Sequence, residues 1–168
     1  MEFKPWPKIM RIEHRRQRRV FTEKIDGTNA CVVIGEDGAF ACQSRTRFIT
    51  PEDDNFGFAR WAYSNMEELK KLGPGYHYGE WWGIGIQRGY DLKEKRFSLF
   101  NTRRWGTHNP NTPSCCHVVP VLDVNSPEEA ITFLQENGSQ AAPGFMKVEG
   151  AVMYEVATDT CFKIIMDK

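Results

Sequence analysis

The stretch from Val20 to Arg45 sets three β-prone runs around two turn signals, and this pattern constrains the fold more than any other feature of the chain. The first run ends at Asp26-Gly27. The second, Ala30-Cys31-Val32-Val33-Ile34, is rich in the β-branched residues that suit a pleated surface. Glu36-Asp37-Gly38 then carries the Asp-Gly pair favoured in tight hairpins, and Ala39 to Arg45 reads as the returning strand.

The rest of the chain continues in short elements. Residues 1–19 are Pro-containing and basic and read as an irregular lead-in. Over residues 52–72, Phe56, Ala59, Arg60, Tyr63, Met66 and Leu69 recur at roughly helical spacing, and Gly73-Pro74-Gly75 ends the segment. Tyr76 to Trp82 reads as an aromatic strand, Gly83 to Tyr90 as a glycine-punctuated loop, Phe97 to Phe100 as a strand, and Val118 to Leu122 as one more. Ser126-Pro127-Glu128-Glu129 is a capping box with proline at the first helical position; its helix runs to about Glu136 and stops at Asn137-Gly138. Gly150 to Val156 and Cys161 to Met166 are the last strands. Strands dominate, with two helices between them, so the expected class is α+β with mainly antiparallel sheets and flanking helices.

At 168 residues the chain has the length of one domain, and its apolar and charged fractions, 40% and 26%, are those of a globular protein. The basic N-terminal stretch is not followed by an apolar segment, and no run is long enough to span a membrane, so a cytoplasmic location without membrane contact is expected. The five cysteines are odd in number and lack a secretory context, which argues against a disulfide framework. Cys115-Cys116-His117 lacks the spacing and second ligand pair of a zinc site. Formal net charge is zero. The charge is uneven, however: Arg15, Arg16, Arg18 and Arg19 crowd into five positions and point to a polyanion. Arg103-Arg104 and Lys93 to Arg96 read as solvated surface.

Lys24 stands at the end of the first strand, directly before the Asp26-Gly27 turn. An ordinary lysine titrates near ~10.4 and is a poor nucleophile, although burial or a neighbouring cation activates one. Alone, Lys24 is indistinguishable from a surface lysine beside a turn. Five further segments change this. Glu23-Lys24-Ile25-Asp26-Gly27-Thr28-Asn29 resembles motif I of the covalent nucleotidyltransferases, in the form found in ATP-dependent RNA ligases. Ser44-Arg45-Thr46-Arg47 resembles motif Ia. Tyr78-Gly79-Glu80-Trp81-Trp82-Gly83 resembles motif III, and Phe97 to Asn101 motif IIIa. Val148-Glu149-Gly150-Ala151-Val152-Met153 resembles motif IV, and Phe162 to Met166 motif V. All six stand in the family's order.

The resemblance implies a ligase-type adenylyltransferase domain, ATP-grasp-like, over residues 1–168. It implies ATP and Mg2+ (or Mn2+) as cofactors, and a nucleic acid with 5′-phosphate and 3′-hydroxyl ends as partner. RNA is favoured, with a minimal DNA or RNA–DNA hybrid ligase as the alternative, and the expected state is a monomer. Lys24 would take up AMP, with Lys163 and the metal stabilising the α-phosphate. Glu149 is the candidate metal ligand, since magnesium prefers carboxylates and retained waters. Arg45 would bind a phosphate, Glu80 a ribose hydroxyl, and Phe100 the adenine ring. The backbone of Glu23 would read the adenine amino group, and Asp26, Gly27 and Asn29 complete the nucleotide site. Each role has a plainer reading: Phe100 as core, Glu149 as a turn residue, Arg47 as surface. Gln87 and Arg88 lie in a loop that touches substrate in one reading.

Two departures stand out. Motif V ordinarily carries two lysines one residue apart, whereas Ile164-Ile165 follow Lys163 and the next lysine is Lys168. In the resembled family a C-terminal domain usually follows motif V, often an oligonucleotide-binding fold in DNA ligases and capping enzymes. This sequence stops two residues after the motif V match, so a catalytic core alone, a shortened chain, or one that works with a partner is expected. A rival of another class is a non-catalytic nucleic-acid-binding module that keeps the fold and uses the basic arm and exposed aromatics.

Overall fold

The computed structural model describes residues 1–9 and 18–166. Among the described residues, ten strands form two sheets: β1 Arg19–Lys24, β2 Thr28–Ile34, β3 Phe40–Gln43, β4 Phe48–Ile49, β5 Gly75–Gly83, β6 Lys95–Leu99, β7 His117–Val118, β8 Val121–Leu122, β9 Gly150–Glu155 and β10 Thr160–Ile165. One sheet has the order β10-β9-β1-β8 and the other β4-β3-β2-β5-β6-β7. All pairings are antiparallel except that of β6 with β7. The helices are α1 Phe58–Ser64, α2 Met66–Leu69 and α3 Pro127–Asn137. The α+β class with mainly antiparallel sheets is therefore the observed one.

β1 and β2 do not pair with each other. The chain leaves the smaller sheet at Lys24 and enters the larger one at Thr28, so the three residues 25–27 bridge the two layers. Each sheet is covered on its outer face by helix. Ala30, Val32, Ile34, Trp81, Phe97 and Leu99 pack against Phe58, Ala59, Ala62, Leu69 and Leu72. Phe58 sits at the centre of that cluster, with ring centroids 5.4 Å from Trp81 and 5.0 Å from Phe97, spacings at which aromatic pairs contribute beyond their buried area. On the smaller sheet Phe21, Leu122, Val148 and Ala151 pack against Ala130 and Leu134 of α3.

Where the structure departs from the pattern, local chemistry explains it. Helix begins only at Phe58 because the Asp54 carboxylate accepts the N–H groups of Asn55, Ala59 and Arg60, which holds the preceding segment as a loop. The expected strand Val118 to Leu122 is split at Pro120. Proline offers no N–H to a ladder, and its carbonyl accepts the Glu23 N–H at 3.0 Å. The chain switches sheets there, from β7 beside β6 to β8 beside β1. The Ser126 cap forms as expected, its hydroxyl accepting from Glu129 N–H at 3.1 Å, while the Glu129 carboxylate reaches one residue before the cap and accepts from Asn125 N–H at 2.8 Å.

Among the described residues, no helix is long and apolar enough to cross a membrane. Arg15 and Arg16 lie outside the described residues, as does Lys168. Arg19, expected to meet nucleic acid, is engaged by the protein: one guanidinium nitrogen donates to the Asn125 carbonyl at 2.9 Å, and the group lies over the Phe21 ring.

Candidate active site

The inner faces of the two sheets enclose a cleft of about 800 Å³. Strand alternation decides what enters it. On β1, Phe21 and Glu23 turn toward the α3 side, whereas Val20, Thr22 and Lys24 face the cleft. On β5, Tyr76, Tyr78 and Glu80 face the cleft, while Trp81 belongs to the outer core. Asn29 lies directly opposite Glu80 in the β2–β5 ladder, and Phe100 follows β6 on the same wall.

Lys24 Nζ donates to Glu149 Oε1 at 2.8 Å, and both side chains are part-buried. The second oxygen, Glu149 Oε2, is buried and has no hydrogen-bond partner. A carboxylate oxygen held from water with nothing to accept is costly, and it marks a place where a cation fits. No cluster of three or more His, Cys, Asp or Glu able to hold a metal exists among the described residues. A metal here would therefore take few protein ligands and complete its shell with water and phosphate oxygens, which is the habit of magnesium.

The turn after Lys24 is clamped. Asp26 N–H donates to the Tyr90 hydroxyl at 2.7 Å. Arg88 Nε meets Asp26 Oδ2 at 3.1 Å, while Arg88 Nη1 donates to the Lys147 carbonyl at 2.8 Å. One guanidinium thus joins motif I to the segment leading to Glu149. Burial first, and then the negative charge of Glu149, push the Asp26 carboxyl up, against the pull of Arg88 and Lys24. Gly27 has no room for a side chain: a Cβ there would lie 2.4 Å from the Trp81 carbonyl oxygen. Its N–H donates to Glu80 Oε2 at 2.9 Å. Glu80 is only 8% exposed, and desolvation pushes its carboxyl up to about 7, moderated by the Gly27 bond and the charge of Lys24.

Glu23 is 1% exposed and fully used. Oε2 accepts the Ser139 hydroxyl at 2.7 Å, and Oε1 accepts the N–H groups of Gln140 at 2.6 Å and Ala141 at 3.0 Å. Its side chain organises the segment after α3, leaving its backbone on the cleft side. Arg45 is exposed in the turn between β3 and β4 and does not line the cleft. Arg47 is tied to Asp53 at 3.0 Å and to the carbonyls of Asp53 and Asp54. Lys163 stands on the outer strand β10, opposite Val152, which is opposite Thr22. Ile165 is opposite Gly150, which is opposite Lys24. The row of the nucleophile candidate therefore carries an isoleucine where the family pattern has its second lysine. Gly150 lets β10 approach: its φ is +155°, and a Cβ would fall on the Ile164 carbonyl oxygen.

Sequence reasoning missed the far end of the cleft. Arg103 and Arg104, read as solvated surface, line it together with Trp105. In the loop after β6, Arg104 is fixed by the Leu72 carbonyl at 3.0 Å and by stacking over Trp105. Tyr76 and Tyr78 were legible, since they lie four and two residues before Glu80 on one strand.

The model of the RNA ligase family matches residues 17–165. No curated protein sequence matches the chain. Among solved structures, a variant of the Naegleria gruberi RNA ligase with ATP and Mn superposes with a TM-score of 0.66 at 22% identity, covering 93% of this chain and 52% of that one. The same ligase with PPi gives 0.64 at 24% identity, covering 92% and 51%. The likeness shows a shared fold, and this chain spans about half the length of those ligases.

Proposed function

Because the chain belongs to the RNA ligase family, we propose that it is an ATP-dependent RNA ligase in which Lys24 is the AMP acceptor. The observation that carries this reading is the convergence in one cleft of Lys24, Glu149 with a buried unpartnered oxygen, and the buried Glu80.

Lys24 Nζ attacks the α-phosphorus of ATP; a P–N bond forms as the bond to the bridging oxygen breaks, and pyrophosphate leaves. An oxygen of the 5′-phosphate end then attacks the same phosphorus and expels the lysine amine. Finally the 3′-hydroxyl attacks the activated 5′-phosphorus, AMP departs, and a phosphodiester remains. Before the first step Nζ must leave Glu149 and lose a proton to solvent, since only the neutral amine is a nucleophile. Glu149 would hold a divalent cation, magnesium or manganese, which neutralises charge on the phosphate oxygens. Glu80, opposite Asn29, is set to accept a ribose hydroxyl. Phe100 offers a ring face to adenine, and the backbone of Glu23 lies beside it. Arg88 holds the Lys24–Gly27 turn against the Glu149 segment. Lys163 shares the register row of Val152 and Thr22, which line the cleft, from the next strand but one.

The intact Lys24–Glu149 pair favours an enzyme over a non-catalytic binding module. The test is sealing: 5′-phosphorylated, 3′-hydroxyl oligoribonucleotides incubated with ATP and Mg2+ give joined or circular product with this protein. Sealing of DNA or hybrid nicks alone, with RNA ends left unjoined, would replace the RNA reading by its closest rival.

A further inference from the structure

The cleft continues past Glu80, and the reaction described above does not use that part. Tyr76 and Tyr78 are 57% and 55% exposed. Their rings are stacked, with centroids 6.3 Å apart and an interplanar angle of 17°. They stand on the same face of β5 as Glu80, Tyr78 about 7 Å and Tyr76 about 13 Å from it along the strand at the usual rise per residue. Exposed Arg103 lines the same end.

Two exposed aromatic rings in parallel, beside a guanidinium and continuous with a phosphate-handling site, have a specific complement. An unpaired nucleobase offers a flat apolar face, and its backbone offers the anion. A paired base inside a duplex has both faces covered by its neighbours and cannot stack on a side chain. Resting on the RNA ligase reading, we infer that Tyr76, Tyr78 and Arg103 form a track for unpaired nucleotides of the strand being joined. The protein therefore takes single-stranded RNA ends in preference to a fully paired nick.

The experiment measures fluorescence anisotropy with a 5′-phosphorylated, 3′-fluorescein-labelled oligoribonucleotide, single-stranded or annealed to its complement. Wild type is compared with Tyr76→Ala/Tyr78→Ala and with Tyr76→Phe/Tyr78→Phe, and lysyl-AMP formation is assayed in parallel. The alanine pair is expected to weaken single-strand binding by about tenfold or more, and the phenylalanine pair to stay within about twofold of wild type. Duplex binding and lysyl-AMP formation stay unchanged in both, which also shows that the variants fold. Unchanged single-strand affinity in the alanine pair, or no single-strand binding by wild type, overturns the inference. So does loss of lysyl-AMP formation in the alanine pair alone, since the ladder then serves the adenine of ATP. Failure of wild type to form lysyl-AMP defeats the ligase reading and leaves the binding comparison as a separate result.

Discussion

Lys24 and Glu149, 125 residues apart in the chain, meet at 2.8 Å across the junction of β1 and β9, and the other oxygen of Glu149 is buried without a partner. The resting site thus pairs the candidate nucleophile with the candidate metal ligand. On the proposed reading, loading ATP with its cation would exchange that contact for two others, Nζ toward phosphorus and Glu149 toward the metal.

Removing the carboxylate charge at 149 tests this exchange. Glu149→Gln is expected to need at least about tenfold more Mg2+ to reach half-maximal lysyl-AMP formation, since loss of even an orienting partner costs that much in metal affinity. A magnesium titration with trace-labelled ATP measures it, and an unchanged midpoint contradicts the assignment.

Arg88 acts through Asp26 and Lys147. Arg88→Ala is expected to slow lysyl-AMP formation by about tenfold or more through lost positioning. Stability should change by only about 0.2–1 kcal/mol, because the pair is partly exposed. Arg88→Lys should not restore the rate, as one ammonium does not bridge both partners. Single-turnover rates beside melting curves separate the two effects, and a rate loss that tracks Tm removes Arg88 from the positioning role.

Glu23 predicts the reverse balance. Glu23→Ala leaves the Gln140 and Ala141 N–H groups and the Ser139 hydroxyl without their acceptor, and is expected to cost at least about 2 kcal/mol. Glu23→Gln keeps one acceptor oxygen and should fall between. Chemical denaturation gives the values. A neutral alanine variant would mean that the segment after α3 is held by other contacts.

Glu80 gives a pH dependence with a definite sign. Its folded carboxyl is raised to about 7 from 4.5, so between those values the folded state binds more protons than the unfolded one. Stability contributed by this group is therefore present at low pH, falls as pH rises through the window, and levels off above about 7. In Glu80→Gln that slope is absent. The Tm of the variant relative to wild type is expected to climb from pH 5 to pH 7 and then stay constant; parallel curves would contradict the burial of a titrating Glu80.

Much of this site was legible in the sequence. Lys24, Glu80, Phe100 and Glu149 were named from motifs in order. Period-two alternation carries Lys24 and Glu80 to the cleft and the Glu23 side chain away from it, and the register of β10 puts residues 163 and 165 on one face. The contacts of Asp26 were not legible, because Arg88 and Tyr90 come from a glycine-rich loop with no periodicity to read. Nor was the placement of Arg103, which lines the cleft from an irregular loop after β6. The split at Pro120 was readable from the missing N–H alone, yet the apolar run hid it.

The most direct measurement of the central claim is covalent labelling. The protein is incubated with [α-32P]ATP and Mg2+, denatured and resolved on a gel, alongside Lys24→Ala. The account predicts an acid-labile 32P label on wild type, absent from Lys24→Ala and discharged by added pyrophosphate. An unlabelled wild type, or equal label on Lys24→Ala, would contradict it.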